Sequence, residues 1–459
     1  MITESRLTAQ LAEFACGLRY RALPPAAVHE VKRALLDFLG VSFLGANHKT
    51  VNILLAYLAQ VRGKKALTAK RDMTVLGRAE RLDPVSAAWV NGTMGHVYDF
   101  DDVHSAAGIH PGIVIAPPSL AAGEWAKASG RKLITAMAAG YEVAGRIGMA
   151  TQLTHYEPGW HSTGTVGTLG AAAAAINALG LDAEQGNFAL GVAASEAAGL
   201  RVSFGSMMKP LHAGNAAANG LRAAFLTSLG LTGPATGLEG ARGFLEVACG
   251  EVDQHSIVEG LGRDYCFVRK GYKLYSCGGV VHPALDAAIE LRPQLQNAFG
   301  RIQKIHTVVH PQVLEQMRLR EPTTGMQSKF SPYHAIAVTL LDGAALPAQF
   351  TDERALAPDV TALRQKVTVE SDAGVRKDET RMTVTFDDGK ILASHIEHAR
   401  GYSPDNPPSD AELQAKFDAL AVPCLGEQQS RELSGRVWAL EDEKNVRHLL
   451  ALCTPVKSA

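Results

Sequence analysis

Trp160-His-Ser-Thr-Gly164-Thr-Val-Gly167-Thr-Leu-Gly170 runs directly into Ala171–Ala175 and then Ile176-Asn-Ala-Leu-Gly180. Alanine is the strongest helix former, so this stretch predicts a helix that begins at the glycine-rich turn and stops at Gly180. Gly164, Gly167 and Gly170 recur every third residue, which lets a second helix approach closely. The whole chain has the same character: 44 of 459 residues are glycine, 46% are hydrophobic and only 6% are aromatic. That mixture predicts helices packed through small residues and argues against disorder, collagen or a coiled coil.

Working outward, helical periodicity covers most of residues 5–260. Val28, Val31, Leu35, Phe38, Leu39 and Phe43 follow Pro24-Pro25 at helical spacing and stop at Gly45. Further helical patterns lie near 50–62, 84–97, 131–150, 164–180, 183–198, 213–230 and 239–248, and Met73–Leu76 is the one early strand candidate. Beyond residue 265 the character changes. Phe267–Tyr275 and Ile302–His310 read as strands, while Arg381–Phe386 and Lys390–Glu397 flank the hairpin signal Asp387-Asp388-Gly389. Helical patterns at 283–297, 329–343 and 357–366 lie between them. Tyr402–Ser409 reads as a linker, after which helices return at 410–420, 428–440 and 443–453. The expected class is mainly α. A large all-helical domain takes 1–265 and 402–459, and a smaller α+β lid domain, 266–401, is inserted.

Lys and Arg total 45 against 46 Asp and Glu, with no basic run, so neither nucleic acid nor a polybasic membrane contact is expected. The apolar stretches are too short or too interrupted to span a membrane, and the first residues, MITESRLTAQLAEF, lack a signal-peptide core. Six scattered cysteines without a CxxC fit reduced thiols in a cytoplasm and argue against an iron–sulfur cluster.

Five clusters carry potential chemistry. Asp99, Asp101 and Asp102 lie beside His96, His104 and His110. Such carboxylates orient an acid/base imidazole or bind a metal, although no HExxH or EF-hand spacing appears and no metal is expected. Capping of the next turn is the competing reading. His161 opens the glycine-rich turn, where free backbone N–H groups from Gly164 onward suit a carboxylate or phosphate. The spacing there is G-x-x-G-x-x-G without a preceding strand, which disfavours a dinucleotide fold. Lys209, between methionine and proline, reads as a partly desolvated cation or a base. Lys273-Leu-Tyr-Ser-Cys277-Gly-Gly-Val-Val-His282 offers a nucleophile or a core thiol. Tyr333 and His334 are acid/base candidates beside a helix start at Ser331-Pro332.

Asn91-Gly…Asp99-Phe-Asp-Asp102…His110-Pro, Trp160-His-Ser-Thr-Gly164, Lys209-Pro-Leu-His-Ala-Gly214, Lys273…Cys277…His282, Lys329-Phe-Ser331 and Arg400-Gly-Tyr-Ser-Pro-Asp-Asn-Pro407 together resemble the MmgE/PrpD family. The resemblance spans nearly the whole chain, in the family's order. It implies a helical domain and an α+β lid with the active site between them, usually in a homodimer. It also implies cofactor-free chemistry on small di- or tricarboxylates. By motif, Asp99, His110, His161 and Lys209 are the catalytic candidates, with Tyr333 and His334 from the lid; Lys273, Cys277, His282, His104 and Gly164 are the substrate-binding ones. The expected reaction is a dehydratase-type lyase that takes a proton next to a carboxylate. Epimerisation between two opposed acid/base groups, a cis-aconitate-type decarboxylation, a metal hydrolase and a helical binding scaffold are the alternatives.

Overall fold

The computed structural model describes residues 6–62, 73–295 and 298–455. These residues build two hydrophobic cores. The larger draws on side chains from Leu7 to Phe267 and again from Phe417 to Cys453. The smaller runs from Tyr275 to Phe386. The chain is mainly α, and among the described residues no helix is long and apolar enough to cross a membrane.

Ser162–Leu179 is the central helix of the larger core, with every residue from Ser162 to Ala178 buried. It packs against helices Gly130–Thr151, Met208–Ser228 and Gly112–Ala126. A Cβ added at Gly170 would lie 2.6 Å from Ala144 Cβ, and one at Gly164 would lie 2.6 Å from the Ala198 carbonyl oxygen. The glycines therefore permit helix contacts that any side chain would force apart. Boundaries follow local chemistry. Asp83 accepts from the Ser86 N–H ahead of Pro84, and Asp182 and Gln185 form a reciprocal capping box. Gly180 ends the central helix at φ 72°.

Helix Gly112–Ala126 is absent from the sequence expectation because it contains Pro117 and Pro118. An interior proline removes a donor and costs about 3 kcal/mol in an isolated helix. Here burial of every residue from Gly112 to Glu124 outweighs that penalty.

In the smaller unit a four-stranded sheet has the order Val367–Ser371, Ile302–Val309, Thr380–Phe386, Ile391–Ile396. The first pair is parallel and the others antiparallel. The hairpin turns at Asp387-Asp388-Gly389, where Gly389 takes φ 82°. Helices His282–Leu291 and Pro332–Asp342 pack on the sheet.

Phe267–Tyr275 is not a strand, contrary to the expectation. Cys266–Arg269 forms a 3-10 turn, and Gly271 makes a lone bridge with Val103. Phe267, Lys270, Tyr272 and Lys273 are all buried. Burial does not alternate along this connector: residues 270–273 are buried in succession while Arg269 is exposed, so it lacks the period of two of a sheet strand.

Candidate active site

Past helix Pro84–His96 the chain turns sharply, and Asp99 adopts a left-handed conformation at φ 53°. Aspartate tolerates that region better than most residues. The three carboxylates that follow are each nearly sealed from water, yet their partners differ. Asp102 accepts from the Gly112 N–H (2.7 Å) and the Tyr141 hydroxyl (3.1 Å), and its Oδ2 lies 3.0 Å from Lys270 Nζ. It caps the next helix, which is a structural task. Asp101 lies between two imidazoles, 2.8 Å from His96 Nδ1 and 3.0 Å from His110 Nδ1. Burial alone would push its carboxyl up, but His96 and His110 hold it well below the usual range.

Asp99 takes the cations. Its Oδ1 accepts from Lys209 Nζ at 2.6 Å and Lys273 Nζ at 2.7 Å. Burial opposes its charge, and the two ammonium groups overcome that and keep it ionised far below the ordinary carboxylate range. Lys209 enters in the first turn of helix Met208–Ser228, flanked by the rings of Phe204 (5.5 Å) and Phe330 (5.6 Å). Burial lowers its pKa and Asp99 offsets part of that.

The imidazoles are set by the same walls. His110 points Nδ1 at Asp101 and at the Asp102 carbonyl, 3.1 Å away, which leaves Nε2 3.8 Å from Asp99 Oδ1. Its backbone N–H donates to Thr163 Oγ1 at 3.1 Å, tying this loop to the start of the central helix. His161 precedes that helix, where its N–H donates to the Gly199 carbonyl at 3.0 Å. Its Nδ1 lies 3.1 Å from His212 Nδ1, so one ring donates and the other accepts. Burial, followed by Lys209, pushes the His161 imidazole well below its usual value and keeps it neutral.

These groups face a cavity of about 400 Å³ between the two units. Asp99, His110, His161, Lys209 and Lys273 line it from the larger unit and the connector. Gly278–Val280, Gln312, Gln316 and Phe330 line it from the smaller one, with exposed Lys377 and Asp405 at its mouth. The other sequence candidates lie off this wall. Gly164 serves helix packing against Ala198 and His212. His104 packs beside Gly145, and burial takes its imidazole down to about 4. Cys277 is fully buried, which pushes its thiol up. His282 lies between the rings of Tyr275 and Tyr402 at 5.1 and 5.5 Å. His334 Nε2 is 2.9 Å from the Gln349 carbonyl, and Tyr333 stacks under Arg320.

Sequence reasoning did not single out Gln152, Tyr156, Phe204, Gln312, Lys377 or Tyr402 as lining residues. Only Tyr402 stood in a quoted motif.

His96, Asp99, Asp101 and His110 present ligand atoms within 4.8 Å of one another. Two ammonium groups already occupy Asp99 Oδ1, so a resident metal cation there would face strong repulsion, whereas an anion would be attracted. A second group, Asp378, His398 and Asp405, lies at the mouth, but His398 Nδ1 and Ser403 Oγ are each 2.7 Å from Asp378 Oδ2. The donor set of the interior suits a carboxylate ligand.

A cis-aconitate decarboxylase of Aspergillus terreus is 27% identical over 99% of this chain and 97% of its own length. Cis-aconitate decarboxylases of Mus musculus and Homo sapiens are each 29% identical, over 95% and 98% of this chain and 91% and 94% of their own lengths. The MmgE/PrpD N-terminal domain matches residues 9–256 and the MmgE/PrpD C-terminal domain matches 275–441. The stretch between the two matches holds the connector that carries Lys273, and on their combined extent the chain belongs to the MmgE/PrpD family.

Proposed function

We propose that this chain is a lyase acting on a small di- or tricarboxylate, with a cis-aconitate-like acid as the first substrate to test. The observation that carries the reading is the convergence of Lys209 and Lys273 on one oxygen of Asp99, facing a cavity that also holds His110 and His161. Asp99 holds two mutually repelling ammonium groups together, so an incoming carboxylate meets a fixed cationic floor. Such preorganised charge is most effective where water is excluded.

In decarboxylation the bond to the departing carboxylate breaks and carbon dioxide leaves. The electron pair moves through the adjacent double bond to the carbon next to a retained carboxylate, and that carbon then takes a proton. Lys209 and Lys273 stabilise the charge as it spreads into the retained carboxylate. His161 is the proton donor in this reading. Burial and Lys209 keep it neutral, and a bound anion beside it favours its protonated form. His110, fixed through Nδ1, presents Nε2 as the second proton-transfer group.

Dehydration is the second reading, since the same floor stabilises the same type of charge while a hydroxyl leaves as water. The named activities of the relatives, which match 95% or more of this chain, favour decarboxylation over it. Epimerisation requires a base facing the imidazoles. The opposite interior wall is Gly278–Val280, Gln312, Gln316 and Phe330, which offers no imidazole or carboxylate among the described residues.

The test is incubation with cis-aconitate, citrate, 2-methylcitrate and iminodisuccinate in deuterated water, followed by NMR and carbon dioxide release. Release with one deuterium incorporated per product supports decarboxylation. Water loss without carbon dioxide supports the second reading. Turnover of none of these acids overturns both.

A further inference from the structure

Lys329 stands just after the short helix Gly325–Ser328 of the smaller unit, 5% exposed, and its side chain crosses into the larger unit. Nζ donates to the Val97 carbonyl at 3.1 Å and lies 4.8 Å from the Tyr98 ring centre. It thus reaches the turn that delivers Asp99. Its own carbonyl accepts from the N–H of Gly278, and both Gly278 and the next residue, Phe330, line the cavity.

The other buried lysines each hold a carboxylate. Lys209 and Lys273 hold Asp99, Lys270 holds Glu30 and Asp102, and Lys32 holds Glu441. Lys329 has no carboxylate partner among the described residues. A buried ammonium without a counterion is strongly disfavoured, and burial pulls this one down to about 8. Asp99 attracts it, while Lys209 and Lys273 repel it. Two ammonium groups therefore contact one carboxylate beside a cavity while a third stands at the turn that delivers it, and the missing charge is negative.

We infer that Lys329 is a third cation of the carboxylate site, a positioning residue behind the cavity wall whose counterion is the bound substrate. This rests on the carboxylate reading above. It has an unusual consequence: removing the charge relieves the empty protein and weakens the complex.

The experiment compares wild type with Lys329→Met, close in volume, and with Lys329→Gln as a second neutral variant. Thermal unfolding is followed with and without tricarballylate, a tricarboxylate with no double bond or hydroxyl to react, and turnover is measured on whichever acid wild type converts. The expected result is a Tm equal to or above wild type, tricarballylate affinity weaker by about tenfold or more, and a kcat/KM loss that appears mainly in KM. Tricarballylate affinity within about twofold of wild type in a folded variant overturns the inference, as does a Tm several degrees below wild type, which marks a structural lysine. Wild-type protein that neither binds tricarballylate nor converts any acid overturns the carboxylate reading itself. Wild-type binding with unchanged variants overturns the role of Lys329 alone.

Discussion

The two walls of the cavity are built on opposite principles. On the larger unit's side, charges are buried and mutually fixed: Asp99 under Lys209 and Lys273, and Asp101 between His96 and His110. On the smaller unit's side the lining is glycine, valine, glutamine and phenylalanine, with ionisable groups reaching the solvent at Lys377 and Asp378. Buried charges hold one geometry because each displacement leaves an unpaired ion in a low-dielectric setting. Neutral residues impose no such constraint. Under the proposed function, proton and charge chemistry belongs to the first wall, and shape and access to the second.

Lys209→Met should break this division most visibly. Lys273 remains to hold Asp99, so the protein folds, while kcat/KM falls by about 10³-fold, as for loss of a preorganised charge donor. Gln312→Ala on the facing wall should cost about fivefold, the scale of one neutral hydrogen bond. Steady-state kinetics on one substrate checks both, and equal losses would erase the distinction between the walls.

Asp99→Asn tests what holds the first wall together. Asparagine adopts the left-handed conformation at φ 53° as readily as aspartate, so the backbone is not strained. What changes is charge: two buried ammonium groups lose their common partner, and stability should drop by about 3 kcal/mol or more. Denaturant unfolding measures this. A variant as stable as wild type would mean that Asp99 does not hold the cations in place.

Acid should act on both units, more strongly on the larger. Burial takes the imidazoles of His96 and His104 in the larger unit, and of His334 in the smaller, down from 6.5 to about 4. These groups stay neutral in the fold but protonate in the unfolded chain near pH 6.5. Between pH 6.5 and 4 the unfolded chain therefore binds more protons, and stability falls as pH falls. Each fully shifted group contributes about 1.4 kcal/mol per pH unit across that window. Asp99 and Asp101, whose folded values are depressed, extend the loss below pH 4. Calorimetry from pH 7 to 4.5 should show Tm declining throughout, and a flat profile would contradict the buried neutral imidazoles.

The sequence revealed the scaffold where local and tertiary preferences agree. The alanine-rich run with its glycine stripe became the central helix, and Asp387-Asp388-Gly389 became a hairpin. It misled where burial overrides local signals. Pro117 and Pro118 hid a helix that survives by burial of Gly112 to Glu124, and the apolar residues of Phe267–Tyr275 imitated a strand. In the site, Asp99, His110, His161, Lys209 and Lys273 stood out as polar groups at turns and in buried contexts. Cys277, His282 and His334 carry the same chemical types, yet they point into packing, because direction depends on neighbours remote in sequence. Lys377 and Gln312 gave no signal, since a polar residue at a cavity wall looks like any polar surface residue until the two units are placed together.

The smallest effect should come from the mouth. Lys377 is exposed, lines the cavity and has no ion-pair partner among the described residues. An exposed charge acts on an anionic substrate through water, so its attraction is weak and screened by salt. Lys377→Ala should raise KM about two- to threefold at low ionic strength and leave kcat unchanged. The difference should vanish near 0.5 M salt, where the screening length shrinks to about 4 Å. A tenfold effect that persists in salt would show Lys377 desolvated against the substrate. Charge recognition would then belong to both walls, and the division between a charged and a neutral wall would hold only for the empty cavity.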